Sequence, residues 1–166
     1  MSGVASAKSV GRRDSWEAGL TSQGDRSRSA PAEVTPRQAF DALNKDPHAL
    51  LLDVRSSAEW TFVGQPMLPR PVLAVEWQIY PGMAPNPDFV AQATRMIEGA
   101  GGDQKSPIYC ICRSGGRSRA AAAALIAAGY VAINVAQGFE GDLDPASGRR
   151  SSINGWKQAG LPWRQS

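Results

Sequence analysis

The chain has 166 residues, of which 42% are hydrophobic and 20% charged, with a net charge of +3. That length suits one domain with a substantial core. So mild a basic excess, without a long Lys/Arg run or interleaved aromatics, excludes a nucleic-acid-binding profile.

No apolar run reaches the ~18–20 residues of a membrane span, and no apolar h-region marks a secretory signal. Two closely spaced cysteines, Cys110 and Cys112, cannot build a disulfide framework and favour thiol chemistry in a reducing compartment. A cytoplasmic protein is expected, with no membrane and no nucleic-acid partner.

Residues 1–32 are rich in Ser, Gly, Arg and Ala, follow neither period, and read as a disordered leader. Residues 33–166 read as one domain in which strand and helix signals alternate. "EVTPRQAFDALNK" opens a helix with Thr35 as N-cap, Pro36 at the first helical position, and Ala39, Phe40 and Leu43 on one face. "HALLLDV" is a continuous apolar run suited to a buried parallel strand, and "RPVLAVEW" is a second candidate strand. The loop between Glu59 and Pro71 is assigned no regular structure. "NPDFVAQATRMIEGAGG" reads as a helix with Pro87 in its first turn and glycines at its end. "PIYCI" is a third strand, followed by a helix "RSRAAAAALIAAG" closed by Gly129; "VAINV" is a fourth strand and "NGWKQAGLP" a last short helix. Strands separated by helices imply an α/β fold with a mostly parallel central sheet and helices on both faces.

Ligands of such sheets bind beyond the carboxyl ends of the strands. Cys112 follows "PIYCI" directly, and Gly115-Gly116 permit the positive φ values of a tight turn before the next helix. Backbone N–H groups from Arg113 through Ser114, Gly115, Gly116 and Arg117 to Ser118 can then converge on one point, which also faces a helix N-terminus. Arg113, Arg117 and Arg119 stand where that helix begins, although a helix N-terminus disfavours positive charge. No acidic residue occurs between Asp103 and Glu140, so nothing local in sequence cancels their field. The arrangement favours an anion: a thiolate, a bound oxyanion, or both. Cys112 is therefore expected to act as a thiolate nucleophile.

"CRSGGRS" between strand and helix resembles the active-site loop of rhodanese-type sulfurtransferases. "VTPRQAFDAL" is similar to that family's opening helix, "LLDVRSSAEW" to its Asp-Val-Arg segment, and "GFEGDLD" with "NGWKQAGLPW" to its closing region. The likeness runs from about Val34 to Trp163 and implies a single rhodanese-like domain. It also implies a two-step transfer. Cys112 takes the outer sulfur of thiosulfate or a similar small anionic donor as a persulfide, and a thiol, a protein acceptor or cyanide then removes it. No metal or organic cofactor is implied. Where many members carry a Gly-His-Ile-Pro-Gly-Ala-like stretch, this chain has "EWTFVGQPMLPRPVLAVEW", so the loop beside the site is expected to differ and with it substrate preference.

Cysteine phosphatases and arsenate reductases wrap a tetrahedral oxyanion with Cys-x5-Arg. Here Arg117 comes one position earlier and Ser118 holds the expected arginine's place. A non-enzymatic persulfide carrier is the other alternative.

Cys110 shares the strand face of Cys112 and is read as a small core residue rather than a resolving thiol. His48, the sole histidine, precedes its strand and so falls at the opposite sheet edge, against a Cys–His protease. One histidine and two cysteines also argue against zinc. Asp53 and Arg55 end their strand on the Cys112 edge, as a supporting ion pair that braces the loops. Trp60, Trp77 and Phe139 are placed either at the pocket mouth, by the resemblance, or in the core; Arg149-Arg150 read as a solvated turn.

Overall fold

The computed structural model describes residues 30–166; residues 1–29, most of the expected leader, lie outside the described residues. A five-stranded, all-parallel sheet has the order β1 (Ala32–Val34), β8 (Val131–Val135), β7 (Pro107–Ile111), β2 (Leu50–Asp53), β4 (Leu73–Ala74). The expected α/β architecture is therefore observed.

Apolar side chains of the central strands alternate between two cores, as in a sheet covered on both faces. On one face, Leu50, Leu52, Ile108 and Cys110 pack against Phe89, Ala93 and Ile97 of α3 (Phe89–Gly99) and Ala121, Ala122 and Leu125 of α4 (Gly116–Ala127). On the other, Leu51, Ile111 and Val135 meet Ala39 and Leu43 of α1 (Pro36–Lys45), with Phe139 and Trp156. The alanine run of α4 lets helix and sheet approach closely. α1 starts where expected: Thr35 Oγ1 accepts from the Gln38 amide, Gln38 Oε1 accepts from the Thr35 amide, and Pro36 opens the helix.

Four details differ from the sequence expectation. β1 is a short edge strand formed where the leader was expected to end; the apolar signal of three residues is too short to read. The segment from Glu59 to Pro71 carries most of α2 (Ser57–Phe62) and β3 (Gln65–Pro66). The reason for α2 is a second capping box, in which Ser56 and Glu59 satisfy each other's backbone amides. "RPVLAVEW" forms only the two-residue β4, after which the chain turns into a hairpin of β5 (Gln78–Ile79) and β6 (Ala84–Pro85). "NGWKQAGLP" is a series of turns, not a helix; Gly155 and Gly160, both at positive φ, break it at each end. The chain closes on β9 (Trp163–Arg164), antiparallel to β3.

Candidate active site

Cys112 is the first residue beyond β7, at the carboxyl edge of the sheet. The chain reverses into α4 over Arg113, Ser114 and Gly115, and Gly115 is the N-cap with φ of 106°. A Cβ there would be strained by that φ and would press on the Gln137 amide. The segment after β8 straps the turn from behind. Phe139 N–H donates to the Cys112 carbonyl at 2.8 Å, and Glu140 and Gly141 N–H both donate to the Arg113 carbonyl. The strap can lie this close because residue 138 is glycine, at φ of 61°; a Cβ would collide with the Cys112 and Arg113 backbone.

The Cys112 sulfur is the focus of the turn. Gly115 N–H donates to Sγ at 3.1 Å, and Ser118 Oγ lies 3.2 Å from Sγ and 2.6 Å from Asn134 Oδ1. The backbone N–H groups of Arg113, Ser114, Gly116 and Arg117 have no protein acceptor among the described residues. Such orphan donors at a helix start are what a bound anion satisfies. Cys112 is nearly buried yet lines an open cleft of about 720 Å³, together with Arg113, Ser114, Gly116 and Arg117. Cys110 is fully buried, and that burial, with Cys112 beside it, pushes its thiol pKa up. It packs in the core, as the sequence suggested.

The arginines are not the uncancelled field that the local sequence implied. Arg117 donates twice to Glu59 of α2, at 2.8 and 2.7 Å, and Arg119 pairs with Glu33 of β1. Both carboxylates come from segments far away in the chain, so the residues neighbouring the arginines in sequence do not reveal them. Burial works against ionised Glu59. Hydrogen bonds from Arg117 and Ser56 overcome it and hold the carboxyl at about 2. In return, the bonds to Glu59 raise the Arg117 pKa. Arg113 and Arg150 line the cleft and form no ion pair among the described residues. The expected solvated turn at Arg149-Arg150 is thus corrected: Arg150 reaches the site, anchored by donation to the Gly141 carbonyl.

Asp53 and Arg55 form the expected bracing pair, wholly buried. Arg55 Nη2 lies 2.6 Å from Asp53 Oδ2, donates to the Gly64 carbonyl at 2.8 Å, and the guanidinium stacks 4.2 Å from the Phe139 ring centroid. The pair therefore joins β2, the end of α2 and the strap behind Cys112, without touching the cleft. Phe139 is core, Trp77 packs on Phe89 at the edge of the core, and Trp60 is half-buried outside both cores; none of the three lines the cleft. The outer wall is instead built by Tyr80, Pro81 and Met83 of the β5–β6 hairpin, with Val63 and Ala58. Glu76 ties that hairpin to α2 by accepting from the Ser57 and Tyr80 amides. Glu59, Asn134, Gly138 and the hairpin are the site residues that sequence reasoning missed. Only Glu59 had a readable signal, the Ser-x-x-Glu spacing of its capping box.

Comparison with known proteins identifies the frame. The model of the rhodanese-like domain family matches residues 35–143. The chain is a rhodanese-like domain. It is 33% identical over 135 residues to the protein RC0915 of Rickettsia conorii, covering 79% of this chain and 95% of that one. A homologous protein of Rickettsia rickettsii is 34% identical with the same coverage. Among solved structures, Rv0390 from M. tuberculosis superimposes with a TM-score of 0.71 at 41% identity, over 82% of this chain and 99% of that chain. The polysulfide-sulfur transferase of Wolinella succinogenes shares the fold, with a TM-score of 0.52 at 18% identity, over 84% and 82% of the two chains. Among the described residues of this rhodanese-like domain, no helix is long and apolar enough to cross a membrane. Nor do three His, Cys, Asp or Glu side chains come together as a metal site.

Two predictions concern what holds the site. Because the folded Glu59 pKa lies below its ordinary value of 4.5, its stabilisation is full above that value and is lost as pH falls towards about 2. Glu59→Gln should lower unfolding free energy at neutral pH by on the order of 2 kcal/mol. Denaturant titrations should show this gap closing as the pH is lowered; a gap that persists in strong acid contradicts the assignment. Gly138→Ala should destabilise by at least ~2 kcal/mol, through φ strain and collision with the cysteine turn. A melting temperature equal to wild type would contradict the strap.

Proposed function

We propose that the protein is a sulfurtransferase that carries sulfane sulfur on Cys112. The observation that carries this reading is the size and chemistry of the turn. The six residues from Cys112 to Arg117 close around one sulfur atom, with the Gly115 amide and the Ser118 hydroxyl on it. The geometry speaks against the phosphatase alternative. The residue at the Cys-x5-Arg position is Ser118, buried and turned to the sulfur, and Arg117 is already bidentate to Glu59.

In the first step the ionised Cys112 sulfur attacks the outer sulfur of thiosulfate or a similar small anionic donor. The S–S bond of the donor breaks, sulfite leaves with the bonding electron pair, and Cys112 becomes a persulfide. In the second step an acceptor thiolate or cyanide attacks the outer sulfur. The persulfide bond breaks towards Cys112, which regains its electron pair and ionised form. Arg113 and Arg150 at the cleft attract the anionic donor. The free amides of the turn are positioned to hold negative charge on the outer sulfur. The step needs no metal and no organic cofactor. Both cysteines are free thiols, which suits a cytoplasmic, reducing compartment.

Intact mass after incubation with thiosulfate tests this reading. Wild type should gain the mass of one sulfur atom and lose it on addition of cyanide, whereas Cys112→Ala should gain nothing. An adduct on the alanine variant, or none on wild type, rejects it. Adduct formation only from a partner protein's persulfide would assign the carrier role instead.

A further inference from the structure

A buried chain of polar groups runs from the surface to the Cys112 sulfur. Glu33 and Asn134 stand opposite each other in the β1–β8 register, so their side chains share the α4 face. Glu33 Oε1 accepts from Arg119 Nε at 2.7 Å and from Asn134 Nδ2 at 3.1 Å. Asn134 Oδ1 accepts from Ser118 Oγ at 2.6 Å, and Ser118 Oγ lies 3.2 Å from Cys112 Sγ. Asn134 and Ser118 are fully buried, so no water competes for the bond between them.

The chain has a direction. Glu33 is a carboxylate, its pKa lowered by the bonds from Asn134 and Arg119, and it can only accept. Asn134 must therefore present its amide nitrogen to Glu33 and its oxygen to Ser118. A serine hydroxyl has one proton. At 2.6 Å that proton lies on Asn134, and the oxygen turns a lone pair towards the cysteine. In this arrangement Ser118 receives a hydrogen bond from the Cys112 thiol and offers none to an ionised sulfur.

We infer that Glu33 and Asn134, both outside the cysteine turn, are positioning residues that point the Ser118 proton away from Cys112 and thereby restrain the sulfur's nucleophilicity. To bond an ionised sulfur, Ser118 must rotate its proton off Asn134, leaving a buried amide oxygen without a donor. The exposed Glu33–Arg119 pair is thus a remote lever on the reactive thiol. Arg119 and Asn134 both donate to Glu33 Oε1, an atom that glutamine would keep, so the acceptor has to be removed outright. Glu33→Ala does this and frees Asn134 to turn over at no loss of a bond to Glu33. The Asn134 amide can then donate to Ser118 Oγ, and the Ser118 proton is free to fall on sulfur. The other charged groups about the sulfur and its cleft are unchanged by this substitution: Arg117 with Glu59, Arg113, Arg150, Glu140 and the Asp53–Arg55 pair behind the turn.

The inference rests on Cys112 as the nucleophile but not on sulfur as the cargo. Iodoacetamide alkylation of Cys112 in the full chain, followed by fragment mass across the neutral pH range, therefore tests it without a sulfur donor. Glu33→Ala should alkylate about threefold faster or more at neutral pH, with its profile displaced to lower pH. Asn134→Leu should change the rate in the same direction. In a Ser118→Ala background the Glu33→Ala effect should vanish, because the link to sulfur is gone. An unchanged rate in Glu33→Ala, or an equal acceleration with and without Ser118, overturns the inference. The surface position of Glu33 keeps the test valid even if Asn134→Leu does not fold. Failure of thiosulfate to load Cys112 would leave this result standing.

Discussion

A chain that leaves a buried parallel strand and reverses into a helix within a few residues exposes backbone amides around a single point. In this protein that point is the sulfur of Cys112, and the surrounding structure serves to keep the turn closed on it. Gly115 supplies the left-handed N-cap, the residues after β8 bond to the carbonyls of Cys112 and Arg113, and Gly138 gives that strap room to approach. Behind the strap, the buried Asp53–Arg55 pair is held by several hydrogen bonds and by the Phe139 ring, while Arg55 Nη1 has no hydrogen-bond partner among the described residues. The pair ties β2, Gly64 just past α2 and the strap together through directional bonds.

Charge around the turn is divided by function. Arg117 and Arg119 are engaged by carboxylates, one clamping α2 to α4 and the other β1 to α4. Arg113 and Arg150 line the cleft and form no ion pair among the described residues. The outer wall combines this charge with the apolar Tyr80, Pro81 and Met83. At about 720 Å³ the cleft is far larger than the Cys112 turn alone.

Much of this was legible in the residues themselves. The continuous apolar runs "ALLLDV" and "PIYCI" announced strands buried on both faces, and the cysteine, two glycines and arginines between strand and helix announced the turn. Asp53 and Arg55 were readable as a pair because they are two apart at a strand end. What stayed hidden depended on long-range geometry. Glu59 meets Arg117 only after the sheet brings α2 beside α4, and Asn134 looks like one more polar residue in "VAINV" until β8 lies next to β7. The β5–β6 hairpin was hidden for a local reason: strands of two residues have no period to detect.

The most direct test of the central claim is a crystal structure of the protein after reaction with thiosulfate. One additional atom should be bonded to Cys112 Sγ and seated among the turn's amides, with the backbone from Cys112 to Ser118 unchanged. A turn that opens to bind a tetrahedral oxyanion, or an outer sulfur directed away from those amides, would contradict it.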